Sequence, residues 1–137
     1  MGETDTAAES NVAGRLGFKG GDLIQEFGYD EDVDFDLREA IEETVGSDLL
    51  DEEDHDVVDA VVVWWRDGDG DLVDMLVDSQ TTLEDGGVVW LLTPKQGRPG
   101  YVPPAEVQEA APTAGLHSTS TAGVSKDWHA TRLARKK

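Results

Sequence analysis

The chain contains no cysteine in 137 residues, which removes disulfides, thiolate metal sites and cysteine nucleophiles together. It also lacks any apolar run approaching the roughly 18 residues of a membrane-spanning helix. No basic segment followed by an apolar one opens the chain, so no secretory leader is expected and the reading is cytoplasmic. Bases are scarce: 11 lysines and arginines stand against 30 aspartates and glutamates, a formal charge of −19. Such a body repels nucleic acid and anionic membrane, so neither is expected as a partner, and it attracts a basic protein surface. The same charge also serves solubility or a high-salt lineage. Its distribution is uneven. Residues 1–60 hold 20 acids and 3 bases, whereas residues 95–137 hold 3 acids and 7 bases.

What is present is enough apolar material, 38% with four tryptophans, for one core. The most informative stretch runs from Asp56 to Lys95. Val57 to Trp65 is almost wholly apolar and β-branched, as in a strand buried on both faces. Asp71 to Leu83 then reads as a helix with Leu72, Val73, Leu76, Val77 and Leu83 inward, closed by Gly86-Gly87. Val88 to Thr93 is a second buried strand, parallel to the first through a right-handed crossover. Upstream, Asp22 to Phe27 is a strand stopped by Gly28, and Tyr29 to Asp34 an acidic loop. Phe35 to Val45 is a helix with Phe35, Leu37, Ile41 and Val45 at helical spacing, and Asp48 to Asp51 a short strand. Downstream, Pro103-Pro104 begins a helix with Val107, Ala110 and Ala111 inward. Leu116 to Thr121 and Asp127 to Leu133 form a closing hairpin. The expected fold is α/β: a compact Rossmann-like three-layer sandwich with a mostly parallel sheet and an antiparallel C-terminal edge. Residues 15–134 make its single domain, after a disordered tail at 1–14 and before a basic tail at 135–137.

Open α/β sheets place ligands at the carboxyl ends of their strands. The exit of the first strand, Gln25-Glu26-Phe27-Gly28-Tyr29-Asp30, stands where a dinucleotide or S-adenosylmethionine site carries several glycines. Only Gly28 is present, and the acids that follow repel phosphate. A sulfonium cofactor carries no phosphate and tolerates those acids better. Trp64-Trp65-Arg66 and Thr93-Pro94-Lys95 end the two central strands. Arg66, Lys95 and Arg98 there gather into a pocket with an aromatic wall, or else they balance nearby carboxylates. The candidate ligand-binding set is thus Glu26, Gly28, Asp30, Trp65, Arg66, Lys95 and Arg98. Asp67-Gly-Asp-Gly-Asp71 has the alternating acids of a calcium loop. Its sixth position is Leu72 instead of glycine and its twelfth Asp78 instead of glutamate, so a turn ending in a helix cap competes with calcium binding. His55, His117 and His129 lie in separate segments without metal-ligand spacing. No serine has a nucleophile-elbow context, and no carboxylate pair is distinguished among so many. Catalysis has no positive signal.

Residues 15–134 resemble an actinobacterial family known as domain of unknown function 3052. The likeness is carried by Leu16-Gly17-Phe18, Gln25 to Asp30, Asp59-Ala60, Trp64-Trp65-Arg66, Asp71 to Asp74 and Gly87 to Lys95. Glu109-Ala-Ala, Ala114-Gly115-Leu116, Trp128 and Thr131-Arg132-Leu133 complete it. More remotely, the layout is similar to a shortened S-adenosylmethionine-dependent methyltransferase. That likeness implies Glu26 and Gly28 on the cofactor strand, Asp51 or Glu52 at the ribose position, and Trp64 to Asp67 at the catalytic loop. The chain departs from it by keeping one glycine at the turn, by lacking an Asn/Asp-Pro-Pro-Tyr sequence after Trp65, and by omitting a β-α unit between Asp51 and Val57. The resulting expectation is a regulatory or protein-interaction module without catalysis and without a resident cofactor. The alternative is a protein binding S-adenosylmethionine or a nucleotide-like metabolite, or a minimal methyltransferase; calcium binding through residues 67–71 comes third.

Overall fold

In β2 (Val58–Trp64) every residue from Ala60 to Trp64 is buried, and the alternation of a strand sends them to two separate cores. Ala60, Val62 and Trp64 join Leu37 and Ile41 of α1 (Phe35–Val45) on one face. Val61 and Val63 join Leu72 and Leu76 of α2 (Leu72–Asp78) and Val107 and Ala111 of α3 (Pro104–Thr113) on the other. The computed structural model describes residues 16–135. The expected tail at 1–14 and the two closing lysines lie outside the described residues. Within them, no helix is long and apolar enough to cross a membrane.

The sheet has five strands in the order β1-β2-β3-β5-β4, with β1 (Ile24–Phe27), β3 (Leu83–Pro94), β4 (Leu116–Gly123) and β5 (Trp128–Arg135). β1, β2 and β3 are parallel neighbours. β5 is antiparallel to both β3 and β4. The reversed strand therefore lies inside the sheet, and the edge strand β4 runs with the parallel set. The expected C-terminal hairpin is present and its pairings are antiparallel, but the reversed strand is the inner one: a hairpin must reverse one strand, and the later one is the one that pairs with β3. Arg135, read as tail, belongs to β5.

α1 matches its expected span. The Asp34 carboxylate accepts from the Leu37 amide at 2.9 Å, Gly46 closes the helix, and Leu37, Ala40, Ile41 and Val45 face the core. Phe35 is half exposed instead, with its ring edge against Tyr29. α2 stops at Asp78, well short of Leu83. The Ser79 hydroxyl donates to the Leu76 carbonyl, a turn follows, and Leu83 enters the core as the first residue of β3. Val77, expected inward, is half exposed. Gly86 and Gly87 do not close the helix but lie within β3, where the pairing jumps from Val58↔Leu83 to Ala60↔Val88. Gly86 has φ +83°, and a Cβ on Gly87 would lie 2.6 Å from Leu83 Cδ1, so both glycines serve this bulge. Of the short strand expected at Asp48 to Asp51, a single parallel bridge, Gln25↔Leu50, is formed. Gln25 compensates with its side chain. The buried amide nitrogen donates to the carbonyls of Asp51 and Asp54, and the amide oxygen accepts from the Thr82 hydroxyl.

Candidate functional site

At the exit of β1, Glu26 is buried and fully engaged. Arg38 of α1 donates to both carboxylate oxygens, at 2.7 and 2.9 Å, and the Trp64 indole nitrogen donates at 2.8 Å. The bidentate fork is the strongest geometry for such a pair. Arg38 also lies 4.8 Å from the Tyr29 ring centroid. Gly28 has φ +77°, and an added Cβ would stand 2.1 Å from the Trp64 carbonyl oxygen. Its amide donates to Glu52. An open cavity of about 550 Å³ remains beside these groups, walled by Glu26, Tyr29, Arg38, Leu49 and the acids Asp51, Glu52 and Glu53. Asp30 is exposed, and its carboxylate accepts the Glu31 amide.

The three expected cations go to different places. Arg66 forks onto Asp32, reaches Asp69, and donates to the carbonyl of Gly28; its guanidinium sits 5.3 Å from the Trp128 ring centroid. Its hydrogen bond holds the Asp32 carboxyl below the usual carboxylate range. Arg98 pairs with Asp127 at 3.3 Å. Lys95 turns to the other face of the sheet. Trp65 is also on that face, buried against α2 and α3. Glu26, Gly28 and Arg66 are thus brought together, bound to one another through Trp64 and the acidic loop, while Lys95 and Trp65 are not part of that group. In the 67–71 loop, Asp71 caps α2 through the amides of Val73 and Asp74, and Asp69 caps the Arg66 amide. Among the described residues, no group of three or more metal-ligating side chains gathers.

Lys95 instead lines a second cavity of about 450 Å³, between the end of β3, the start of β5 and the first turns of α3. Pro94, Tyr101, Val102 and Val107 give it an apolar wall, and Thr93, His129 and Thr131 come from the sheet. Thr93 and His129 are paired across β3 and β5 and so lie side by side. Burial, and after it the Lys95 ammonium, push the His129 imidazole below its ordinary value of 6.5. For a base lowered in this way the unfolded chain takes up the proton first. The neutral form's contribution is complete above pH 6.5 and is lost as the pH falls below it. His129→Gln should therefore flatten the dependence of the denaturation midpoint on pH in the window just below 6.5, measured by urea titration at several pH values.

Sequence reasoning missed Arg38, because a single arginine on an amphipathic helix reads as solvated. It also missed Tyr101, His129 and Thr131. Their signal was present: His129 and Thr131 share a strand face with Leu133, so two polar residues stand where a core-facing strand would carry apolar ones.

This arrangement of elements, an α/β sheet with one reversed strand, is similar in fold to solved S-adenosylmethionine-dependent methyltransferases. The structure is similar to one from Aquifex aeolicus, with a TM-score of 0.60 and 14% identity, over 91% of this chain and 88% of that one. It is also similar to the mitomycin 7-O-methyltransferase MmcR, with a TM-score of 0.66 and 12% identity. That match takes in 94% of this chain but only 54% of MmcR, so the chain spans about half the length of that enzyme. In sequence, the family model for the protein of unknown function DUF3052 matches residues 13–137, and the chain belongs to that family. The uncharacterised protein Rv2239c of Mycobacterium tuberculosis is 54% identical to it, over 99% of this chain and 87% of its own length.

Proposed function

We propose that the chain is a non-catalytic binding module on a three-layer Rossmann-like scaffold, a single domain over residues 15–134. Its ligand edge lies at the end of β3 and not at the exit of β1. The observation that carries this is the fork between Arg38 and Glu26. Glu26 holds the position that the methyltransferase likeness gives to the cofactor strand, and here its oxygens are taken by the protein's own arginine and indole. A cofactor would have to displace both and leave a buried charge uncompensated. The exposed acids of α1, Asp36, Glu39 and Glu43, together with Glu52 and Glu53, add a surface suited to a basic protein partner.

A second reading, S-adenosylmethionine binding, is favoured by the fold likeness and by the open cavity between Tyr29 and Glu52. One measurement separates the two. A ligand bound only by the native state raises the melting temperature, with about 2.7 kcal/mol of stabilisation at a hundredfold excess over Kd. The expected result is an unchanged melting temperature with millimolar S-adenosylmethionine or S-adenosylhomocysteine. A rise of several degrees would overturn the first reading in favour of the second.

A further inference from the structure

The cavity at the end of β3 differs chemically from the rest of the surface. Carboxylates make up 30 of 137 residues, and three other cavities have them in their walls: Glu106 and Glu109, Glu52 and Glu53, Asp32 and Asp127. This one has none among its lining residues. Two basic groups, Lys95 and His129, stand in it instead. Arg38, Arg66, Arg98 and Arg135 each have a carboxylate within 4 Å. Lys95 makes no ion pair among the described residues.

The floor is polar at buried positions. Thr93 and Thr131 are 4% and 7% exposed and both line the cavity. Their hydroxyls make no hydrogen bond among the described residues, and since no buried side-chain polar atom there lacks a partner, they open onto the cavity. The two hydroxyls are therefore free to bond water or a polar ligand group in the cavity. The edge strand contributes through a bulge. Ser118 pairs with Leu133 and Thr121 with Thr131, so two residues three apart face the same side, which a regular strand would not allow.

We propose that this cavity binds a small amphipathic acid, with its one carboxylate beside Lys95 and His129 and its aliphatic or aromatic body against Pro94, Val102 and Val107. The proposal rests on the reading that places the ligand edge at the end of β3, and it names the ligand class for that edge. A volume of about 450 Å³ falls within the roughly 300–1,000 Å³ of small-molecule sites. The apolar body supplies burial, and the Lys95 ammonium and the threonine hydroxyls meet the charge that would otherwise forbid it. An anion bound here would also favour protonation of His129, offsetting the effect of Lys95 on it.

The test uses the full chain, with octanoate and phenylacetate as probes and octan-1-ol and 2-phenylethanol as their neutral counterparts. Binding is followed by amide NMR and calorimetry, in the wild type and in Lys95→Met and Thr131→Val. At least one acid is expected to shift the amides of Lys95, Val107 and His129, to bind about tenfold or more tightly than its alcohol, and to raise the titration midpoint of the His129 ring. Lys95→Met, which breaks no ion pair, should keep the melting temperature and remove the preference for the acid; Thr131→Val should weaken the acid to a smaller degree. The proposal fails if neither acid perturbs these amides at millimolar concentration, if alcohol and acid bind equally, or if Lys95→Met leaves the affinity unchanged. Such a failure with S-adenosylmethionine also silent removes this ligand class and leaves the non-catalytic reading standing. Binding of S-adenosylmethionine removes that reading whatever the acids do.

Discussion

Arg38→Met is expected to lower the stability of the protein by about 3 kcal/mol, at the lower end of the range for orphaning one partner of a buried ion pair. Glu26 is 6% exposed and would keep its carboxylate in the core with the Trp64 indole as its remaining donor. The low end applies because the Arg38 side chain is 22% exposed and water would follow it in part. The control is Arg38→Met with Glu26→Gln, which removes both charges and leaves an amide oxygen for Trp64 to donate to. Replacing a buried pair by neutral groups of similar volume is often neutral or stabilising. The double variant should therefore recover most of the loss, read from urea denaturation midpoints at constant slope. If the single variant is as stable as the wild type, the ion pair does not close the β1 exit, and the case for a filled cofactor position falls with it.

Gly28→Ala should cost about 2–5 kcal/mol, from two sources. The left-handed φ of +77° is unfavourable by roughly 1–2 kcal/mol for a residue with a side chain. A methyl 2.1 Å from the Trp64 carbonyl oxygen also forces β1 and β2 apart, and overpacking of a core costs about 1–3 kcal/mol. A fall in melting temperature beyond that of an alanine at Gly17, where φ is +89° but nothing lies within 4 Å, isolates the steric part. Equal falls would mean that the close approach to Trp64 is relaxed at no cost. The comparison bears on the site, because it distinguishes a glycine kept for contact with its own sheet from one kept clear for a ligand.

Much of this architecture was legible because its signals are local. α1 is written in Asp34, Gly46 and the spacing of Leu37, Ile41 and Val45, and the structure ends it where those residues do. β2 is legible in an unbroken apolar run, since a strand with a core on each face has no polar side to alternate with. The α2–β3 junction was misread because Leu83 fits a helical period as well as the inward face of a strand, and Gly86-Gly87 terminates a helix as plausibly as it relieves a bulge. Only the pairing with Val58 decides between them. The site was half visible. Glu26, Gly28 and Arg66 could be placed at strand ends from sequence, but their mutual engagement depends on Arg38 and Trp64, whose side chains meet Glu26 from two other elements. Lys95 was correctly put at the end of β3. The face it takes depends on register within a sheet whose reversed strand lies inside, and no short-range pattern encodes that.

No strand forms between Asp51 and Val57, so β1 has the single bridge to Leu50 on its outer side, and among the described residues nothing pairs with the outer side of β4. Bare strand edges invite a second molecule to continue the sheet. Here one edge is ringed by Asp48, Asp51, Glu52 and Glu53, and the other is rich in serine and threonine and interrupted by a bulge. Two copies approaching through the β1 edge meet like charge before they meet hydrogen-bonding groups. The acids around the β1 edge would thus oppose edge-to-edge association of copies, an opposition that weakens as salt shortens the reach of those charges.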